Sequence, residues 1–568
     1  MVRLPKACWS AVALPLVLLA GCQGTPPRPD TGAQPGPTEP SHAEARRGEG
    51  PPEIDRLAQA HAHYGTALIH DLSGEPAAAL EHFQAAALGD PQNAGLALEA
   101  TRRFLQANQP ESALALLTNA TARPEASGEL FAELGAVYAQ LGKTDSAIAA
   151  DKTAIRRSPH SLAGYRNLFA VCFQNKRYDE AQKALDQAAK PSGTTADFLV
   201  EVARLYVGLG QQVTAKKEAA QASALATLER AAKLKPTDPD VRLKLADGFN
   251  ALGHPEKASP LYLDLLREYP DSPLVRTAVR AKLIDIYMQG KDPSRAAEQL
   301  EAVVRDEPSN ALAYYLLGNL AYEGKKMDQA ADYLAKAILF KPDLEPAYYD
   351  LAQAQIASDH TAAALETLRK ARTKFGDSFV TEFLTGVAYR ADKQYAQAIQ
   401  AFTAAEIIAQ ATDPKRLNEF FYFQAATAYE RKGELPQAVQ YLEKTIQLAP
   451  DFAEALNYLG YLWADRGENL DRARELIEKA VKLEPKNAAY LDSLGWVLFK
   501  QGHPQEALGY LQQAIALSEE PDPTLFDHLG DTLAALNQPN KAREAWRRSL
   551  ALQPDEKIQR KLAPPASK

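Results

Sequence analysis

Four histidines crowd the start of the foldable chain: His61, His63, His70 and His82. Imidazole nitrogens are common metal ligands, so the group could hold an ion and activate a water on it. Their spacing matches no familiar ligand pattern, and the alternative is four polar side chains at one end of the fold. No other arrangement points to catalysis. There is no GxxxxGK[ST] phosphate loop, no HExxH and no GxSxG. Gly208-Leu-Gly210 lacks the third glycine of a dinucleotide fingerprint and reads as a helix end. Paired Asp and Glu side chains are frequent but fall on amphipathic helices, where they are solvated faces. A non-catalytic chain is expected, with no cofactor, no metal and no small-molecule substrate. The 64 basic residues against 72 acidic ones give a net charge of −8, which argues against nucleic acid as a partner.

The elements that carry these residues are helices. In Leu456 to Pro485, Leu459, Gly460 and Trp463 share one helix face, Arg466-Gly467-Glu468-Asn469 is a turn, and Ala473, Ile477 and Ala480 mark the buried face of a second helix. Pro485 stops that helix. The pattern returns at Leu494, Gly495 and Leu498, then Ala507, Leu511 and Ala514. An alanine of the second helix recurs along the whole chain at Ala79, Ala113, Ala147, Ala181, Ala224, Ala258, Ala296, Ala330, Ala364, Ala398, Ala438, Ala473, Ala507 and Ala542, mostly 34 residues apart. Nine of these are followed, twelve residues on, by a proline. A small residue marks the facing position of the first helix, as at Gly135, Gly318, Gly386, Gly460, Gly495 and Gly530. The longest step contains Gln211 to Glu218, a polar insertion read as an extended helix or a protruding loop; the other long steps fall near Asp271 to Ala278 and Ala411 to Asn418, and all three are consistent with local kinks. The seven residues Glu556 to Leu562 read as a charged, solvent-facing cap.

This pattern resembles the tetratricopeptide repeat. The resemblance implies an all-α fold, an α-solenoid of about fourteen hairpins wound as a right-handed superhelix. Repeats are expected over 60–236 with an insertion near 211–219, over 237–412, and over 413–562 with the cap, followed by a tail at 563–568. It also implies that the first helices line a groove. Mapped on those positions, Tyr322, Phe383, Phe423, Tyr461, Trp496 and Phe499 form an aromatic line able to take a partner's segment. Tyr315 and Tyr349 are expected to pack within the solenoid, Trp463 and Trp546 to be core, and Trp496 to be either contact or core. The lysines and asparagines of the family's two-carboxylate clamp are missing. Asn457, Asp492 and Asp527 take successive position-five sites instead, an acidic trend that favours a basic or neutral segment.

Residues 1–21 read as a signal peptide, with Arg3 and Lys6 before the apolar run Ala11 to Leu19. Leu19-Ala20-Gly21-Cys22 resembles a bacterial lipobox, which implies lipidation of Cys22; the alternative is an ordinary secretory signal that contains a cysteine. Gln23 is not the aspartate associated with inner-membrane retention, so the resemblance implies an outer-membrane address with the repeats in the periplasm. Residues 22–52 are rich in proline and glycine and read as a disordered tether spanning about 30 Å as a coil and at most about 90 Å. Cys172 falls on an inward helix face and reads as a small buried hydrophobe.

Tyr490 to Phe499, Asp527-His-Leu-Gly-Asp531 and Trp546 are similar to the C-terminal repeats of bacterial lipoproteins of this class. One type is an adaptor that brings a periplasmic carboxyl-terminal processing serine protease together with cell-wall hydrolases. That likeness covers about the last hundred residues. It implies an outer-membrane scaffold with protein partners. The alternatives are an assembly or structural factor of a secretin, pilus or polysaccharide exporter, and an enzyme using the histidine group.

Overall fold

The computed structural model describes residues 52–562. Cys22, the signal peptide, the expected tether up to residue 51 and the tail at 563–568 lie outside that range. Among the described residues there are twenty-nine α-helices and two short 3-10 turns, with no strand. No helix of these residues is long and apolar enough to cross a membrane.

Each hairpin is punctuated by local chemistry. Before most first helices stands a side chain that accepts from the helix's orphan N–H groups: Asn93, Ser127, Thr195, Asp238, Ser272, Asn310, Ser378, Asn418, Asn487 and Asp522. Each such cap is worth about 1 kcal/mol. Several second helices open on proline at their first position, as in Pro110–Thr121, Pro255–Glu268, Pro504–Leu517 and Pro539–Leu552, where the missing N–H costs nothing. The repeated prolines, from Pro91 to Pro554, fall two or three residues past the end of a second helix. Gly467 (φ 70) ends the helix Ala453–Arg466 in the left-handed conformation, and Asn469 (φ 44) absorbs the extra residue of that turn.

Packing inside the hairpins follows the small residues. All fourteen marker alanines are at most 2% exposed. Opposite them, a Cβ built on Gly460 would lie 2.6 Å from Ile477 Cγ1 and 2.9 Å from the Ala473 carbonyl oxygen. On Gly495 it would meet Leu511 Cγ at 2.7 Å. The carbonyl belongs to the facing helix and cannot swing aside. Gly460→Ala is therefore expected to force the helices apart and cost roughly 1–3 kcal/mol. Gly509 also sits mid-helix, in Pro504–Leu517, but has nothing within 4 Å. There, alanine is expected to stabilise by about 0.5–1 kcal/mol. Urea titrations of the two variants should shift in opposite directions.

The chain divides into two compact units, one ending at Asp292 and the other beginning at Pro293. The first holds six hairpins and the helix Pro273–Gln289. The second holds the helix Pro293–Asp306, seven hairpins and the short helix Glu556–Leu562. The long steps of the repeat are taken up as helix. Ala196–Gln212 and Lys217–Lys233 each run 17 residues around a 3-10 turn at Thr214–Lys216, and Pro273–Gln289 also has 17. Tyr395–Thr412 has 18 residues, followed by a 3-10 turn at Pro414–Arg416. The first helix begins at Pro52, ahead of the expected start near residue 60, because proline at its head and Glu53 and Asp55 in the first turn favour a helix N-terminus.

Cys172 is fully buried, and burial pushes its thiol pKa up, which keeps it unreactive. The short helix Glu556–Leu562 is more than a solvent-facing cap. Ile558 is buried, and Lys561 reaches inward to Asp527 at 2.8 Å and Asp531 at 2.7 Å.

Candidate functional site

In the second unit the first helices of neighbouring hairpins touch one another: Phe379–Ala391 meets Glu419–Lys432, and Ala453–Arg466 meets Ala488–Lys500, which meets Pro523–Ala535. This shared first-helix face carries most of the residues picked out from the sequence. Their positions divide them.

Phe383, Phe423 and Trp496 are buried at 8%, 3% and 6% exposure. Phe383 stacks with Phe379 at 5.7 Å and lies against Phe402 and Phe421, joining one core cluster. Phe423 packs on Phe452 at 5.2 Å and Tyr458 at 5.9 Å. Trp496 stacks on Phe499 at 5.1 Å and on His528 of the next first helix at 3.9 Å. The open aromatic line expected from the sequence is thus corrected for these three rings. Each bridges adjoining helices, because a large flat side chain at a helix–helix seam buries more area there than in solvent. Tyr322, Tyr461 and Phe499 are half-buried. Tyr322 packs against the core cluster that includes Leu351 and Ala354. Tyr315, expected to pack internally, donates its hydroxyl to Asp350 at 2.8 Å, and burial first, then Asp350, pushes its pKa up to about 12. Trp463 and Trp546 are core, each 8% exposed.

The acidic trend also changes on folding. Asp492 is 7% exposed and spends both oxygens on His528 Nδ1 at 3.0 Å. Asp527 is paired with Lys561. Neither carboxylate is free for a partner. His528 and Lys561 were missed from sequence, although the repeat length held the signal: Lys561 follows Asp527 by 34 residues, one repeat on. The uncompensated carboxylates are two others. Asp465 and Asp522 are exposed, and no cation pairs with either among the described residues. Asp522 Oδ1 accepts the Thr524 N–H at 2.7 Å as a helix cap.

Tyr461 lies at the centre. Burial raises its hydroxyl pKa, and the carboxylates of Asp465, Asp492, Asp522 and Asp527 raise it further. Around it are buried polar atoms with no partner in the chain: Asn457 Oδ1 on the same helix and Trp496 Nε1 on the next, with Arg390 Nε farther back along the first-helix face. Tyr458 donates to Glu430 at 2.8 Å. Burial lowers the Arg390 pKa against the pull of Tyr458 and Glu454.

The histidine group lies in the first unit. His63 Nδ1 meets His82 Nδ1 at 2.9 Å, and the His70 ring stacks on that of His82 at 5.4 Å. His70 is bonded to Glu75 at 2.6 Å, while His61 is exposed. Among the described residues no three His, Cys, Asp or Glu side chains converge as metal ligands.

Stacked helical hairpins with a shared polar and aromatic first-helix face define a helical-repeat interaction protein. Models of the tetratricopeptide repeat match residues 98–161, 282–345, 349–414, 423–488 and 466–523, with a second such model at 213–283. These spans make up more than half of the 568 residues, and the chain belongs to the tetratricopeptide repeat family. It is 29% identical over 148 residues to anaphase-promoting complex subunit 6 of Arabidopsis thaliana, spanning 26% of this chain and 26% of that protein. The match thus covers about a quarter of the relative's length. Among solved structures, the APC/C hetero-tetramer Cut9-Hcn1 aligns over 85% of this chain and 96% of that one, at 13% identity and TM-score 0.37. Naa15/Naa10 bound to HypK-THB aligns over 80% and 67%, at 18% identity and TM-score 0.37. MamA from Desulfovibrio magneticus RS-1 aligns over 31% and 97%, at 18% identity and TM-score 0.28.

Proposed function

We propose that this protein is a non-catalytic scaffold whose second unit seats a partner protein on its first-helix face, around Tyr461. The observation that carries this is the first-helix face itself: the first helices of neighbouring repeats touch one another there, and Tyr461 and Phe499 stay half-buried and Asp465 exposed on it. The family supports the reading, because stacked hairpins leave extended surfaces for other proteins.

The lipobox-like Leu19 to Cys22 and the proline-rich stretch after it support an anchored scaffold, held at the outer membrane through lipid on Cys22. The C-terminal likeness supports an adaptor that brings a periplasmic serine protease or another envelope enzyme to its substrates. Mass spectrometry of the purified N-terminal peptide should find acyl chains on Cys22, and Cys22→Ser should move the protein out of the membrane fraction. A photo-crosslinker at Tyr461 should trap a protease or a peptidoglycan enzyme in cells. Recovery of neither, with the protein folded, would remove the adaptor role.

A further inference from the structure

We infer that two copies of this chain pair through the outer face of their first helices, Pro52–Leu72, laid antiparallel. This surface lies in the first unit, apart from the face around Tyr461, and does not depend on it.

The helix Pro52–Leu72 has two apolar sides. On one, Ala60 and Ala67 are buried, Ala60 against Gly89 of the paired helix Pro76–Gly89, and Tyr64 meets Phe83 edge-on. On the other stand Ile54, Ala58, His61, Gly65, Leu68 and Leu72, alternately four and three residues apart. That spacing is the seam of paired helices. All six are exposed, Ile54 to 58% and Leu72 to 90%, and His61 is the one polar side chain among them. A Cβ built on Gly65 would have nothing within 4 Å.

The repeat covers this side wherever it recurs inside the stack. Ala62 and Ile69 border the stripe and are exposed, Ile69 to 64%. Two repeats on, their counterparts are Leu130 and Val137, 3% and 0% exposed, in one cluster with Leu116 and Leu117 of the preceding hairpin. Three repeats on, Ala62 is replaced by Gly164, where a Cβ would lie 3.0 Å from Ala154 Cβ and 3.1 Å from Ile155 Cγ1 of the preceding hairpin. Among the described residues no hairpin precedes Pro52–Leu72, so its stripe is open. Arrays of this kind end on polar faces. At the other end the short helix Glu556–Leu562 closes the stack, with Ile558 buried.

The occupant is a second copy. Residues 22–51, directly ahead of the helix, contain no Leu, Ile, Val, Met, Phe, Tyr or Trp, so they bring no large apolar side chain to the stripe. The stripe is its own complement when reversed. With Ile54 opposite Leu72, Ala58 falls opposite Leu68 and Gly65 opposite His61, so larger side chains meet small ones. A two-fold axis makes each of these contacts twice, along about 30 Å of helix. Antiparallel pairing also sets each positive helix N-terminus beside a negative C-terminus. Parallel pairing would set Gly65 on Gly65 and leave a gap.

Sedimentation velocity of the full chain in mild detergent should show a dimer that dissociates on dilution. Combined Ile69→Asp and Leu72→Asp should raise the dissociation constant about 100-fold. Both side chains are exposed, so the circular dichroism spectrum should not change. Leu339→Asp, at a side chain 70% exposed in Met327–Phe340, should leave the dimer intact. Direction is read by disulfide trapping in intact cells with copper phenanthroline. Ile54→Cys and Leu72→Cys chains expressed together should give a crosslinked pair, and neither alone should. A monomer at every concentration, a dimer indifferent to the double aspartate variant, or crosslinking of Ile54→Cys with itself would overturn the inference. Deleting residues 2–21 should leave the dimer. Its loss would assign the stripe to the apolar run Ala11 to Leu19 instead of a second copy's helix, and would also overturn the inference.

Discussion

Replacing Asp151 with asparagine should stabilise the first unit by up to about 5 kcal/mol at pH 8 and hardly at all near pH 3. Asp151 lies in the helix Thr144–Arg157 and is 1% exposed. Both carboxylate oxygens are buried without a hydrogen-bond partner. A Cβ on Gly135 would lie 2.1 Å from its Oδ1, so the group is wedged into the hairpin crossing. Asn167 could favour the charged form, but its amide donates to the Ala132 carbonyl at 2.8 Å. Burial therefore dominates and pushes the Asp151 pKa up from 3.8 to about 8. The sign follows. Below pH 3.8 the carboxyl is neutral folded or unfolded, and the fold bears no charge penalty. As pH rises toward 8, the unfolded chain ionises freely while the folded chain must stay protonated, so stability falls across that window. Asparagine is nearly isosteric with the neutral acid and does not ionise. Hydrogen exchange of residues 128–175, followed against pH in both proteins, measures the difference. A wild-type stability that stays flat from pH 4 to pH 8 would show that Asp151 is solvated.

The second large effect is expected at Trp496. Trp496→Ala should cost about 3–5 kcal/mol, felt mainly in the last hairpin and the short helix after it. The indole joins Ala488–Lys500 to Pro523–Ala535 by its 3.9 Å stack on His528, and it shields the His528–Asp492 pair, whose side chains are 5% and 9% exposed. Removing it opens a void and admits water to that pair. A stacked array is stabilised by its nearest-neighbour interfaces, so the end hairpin, held from one side only, is the part that frays. Trp496→Phe keeps a ring against His528 and gives up an N–H that bonds to nothing in the chain, so its cost should be much smaller. Exchange protection over 523–562 should collapse in the alanine variant and persist in the phenylalanine variant. Uniform loss across the second unit would mean that the seam is not local.

The hairpins were legible because their causes are local. A 3.6-residue apolar period, a capping side chain, a stopping proline and a small residue at each crossing lie within one repeat. All fourteen marker alanines proved to be buried. The small residues were equally readable, since Gly318, Gly386, Gly460, Gly495 and Gly530 each face a large side chain of the paired helix. The long step at residues 211–219 left helix and loop open, and that at 271–278 read as a local kink; helical propensity with tertiary packing decided for longer helices at both.

The state of the site was not legible, because it depends on the neighbouring hairpin. Asp492 and Asp527 read as free carboxylates until the next helix brings His528 and Lys561 against them. Trp496 reads equally as contact or core until a ring one repeat away covers its face. By itself the sequence determined the helices and the hairpin crossings, since these arise from side chains a few residues apart. Only the tertiary structure decided which charged groups are paired, which rings are buried and which polar atoms are sealed in without a bond. Electrostatics and burial depend on what stacks alongside, and that is set by contacts more than thirty residues away in the chain.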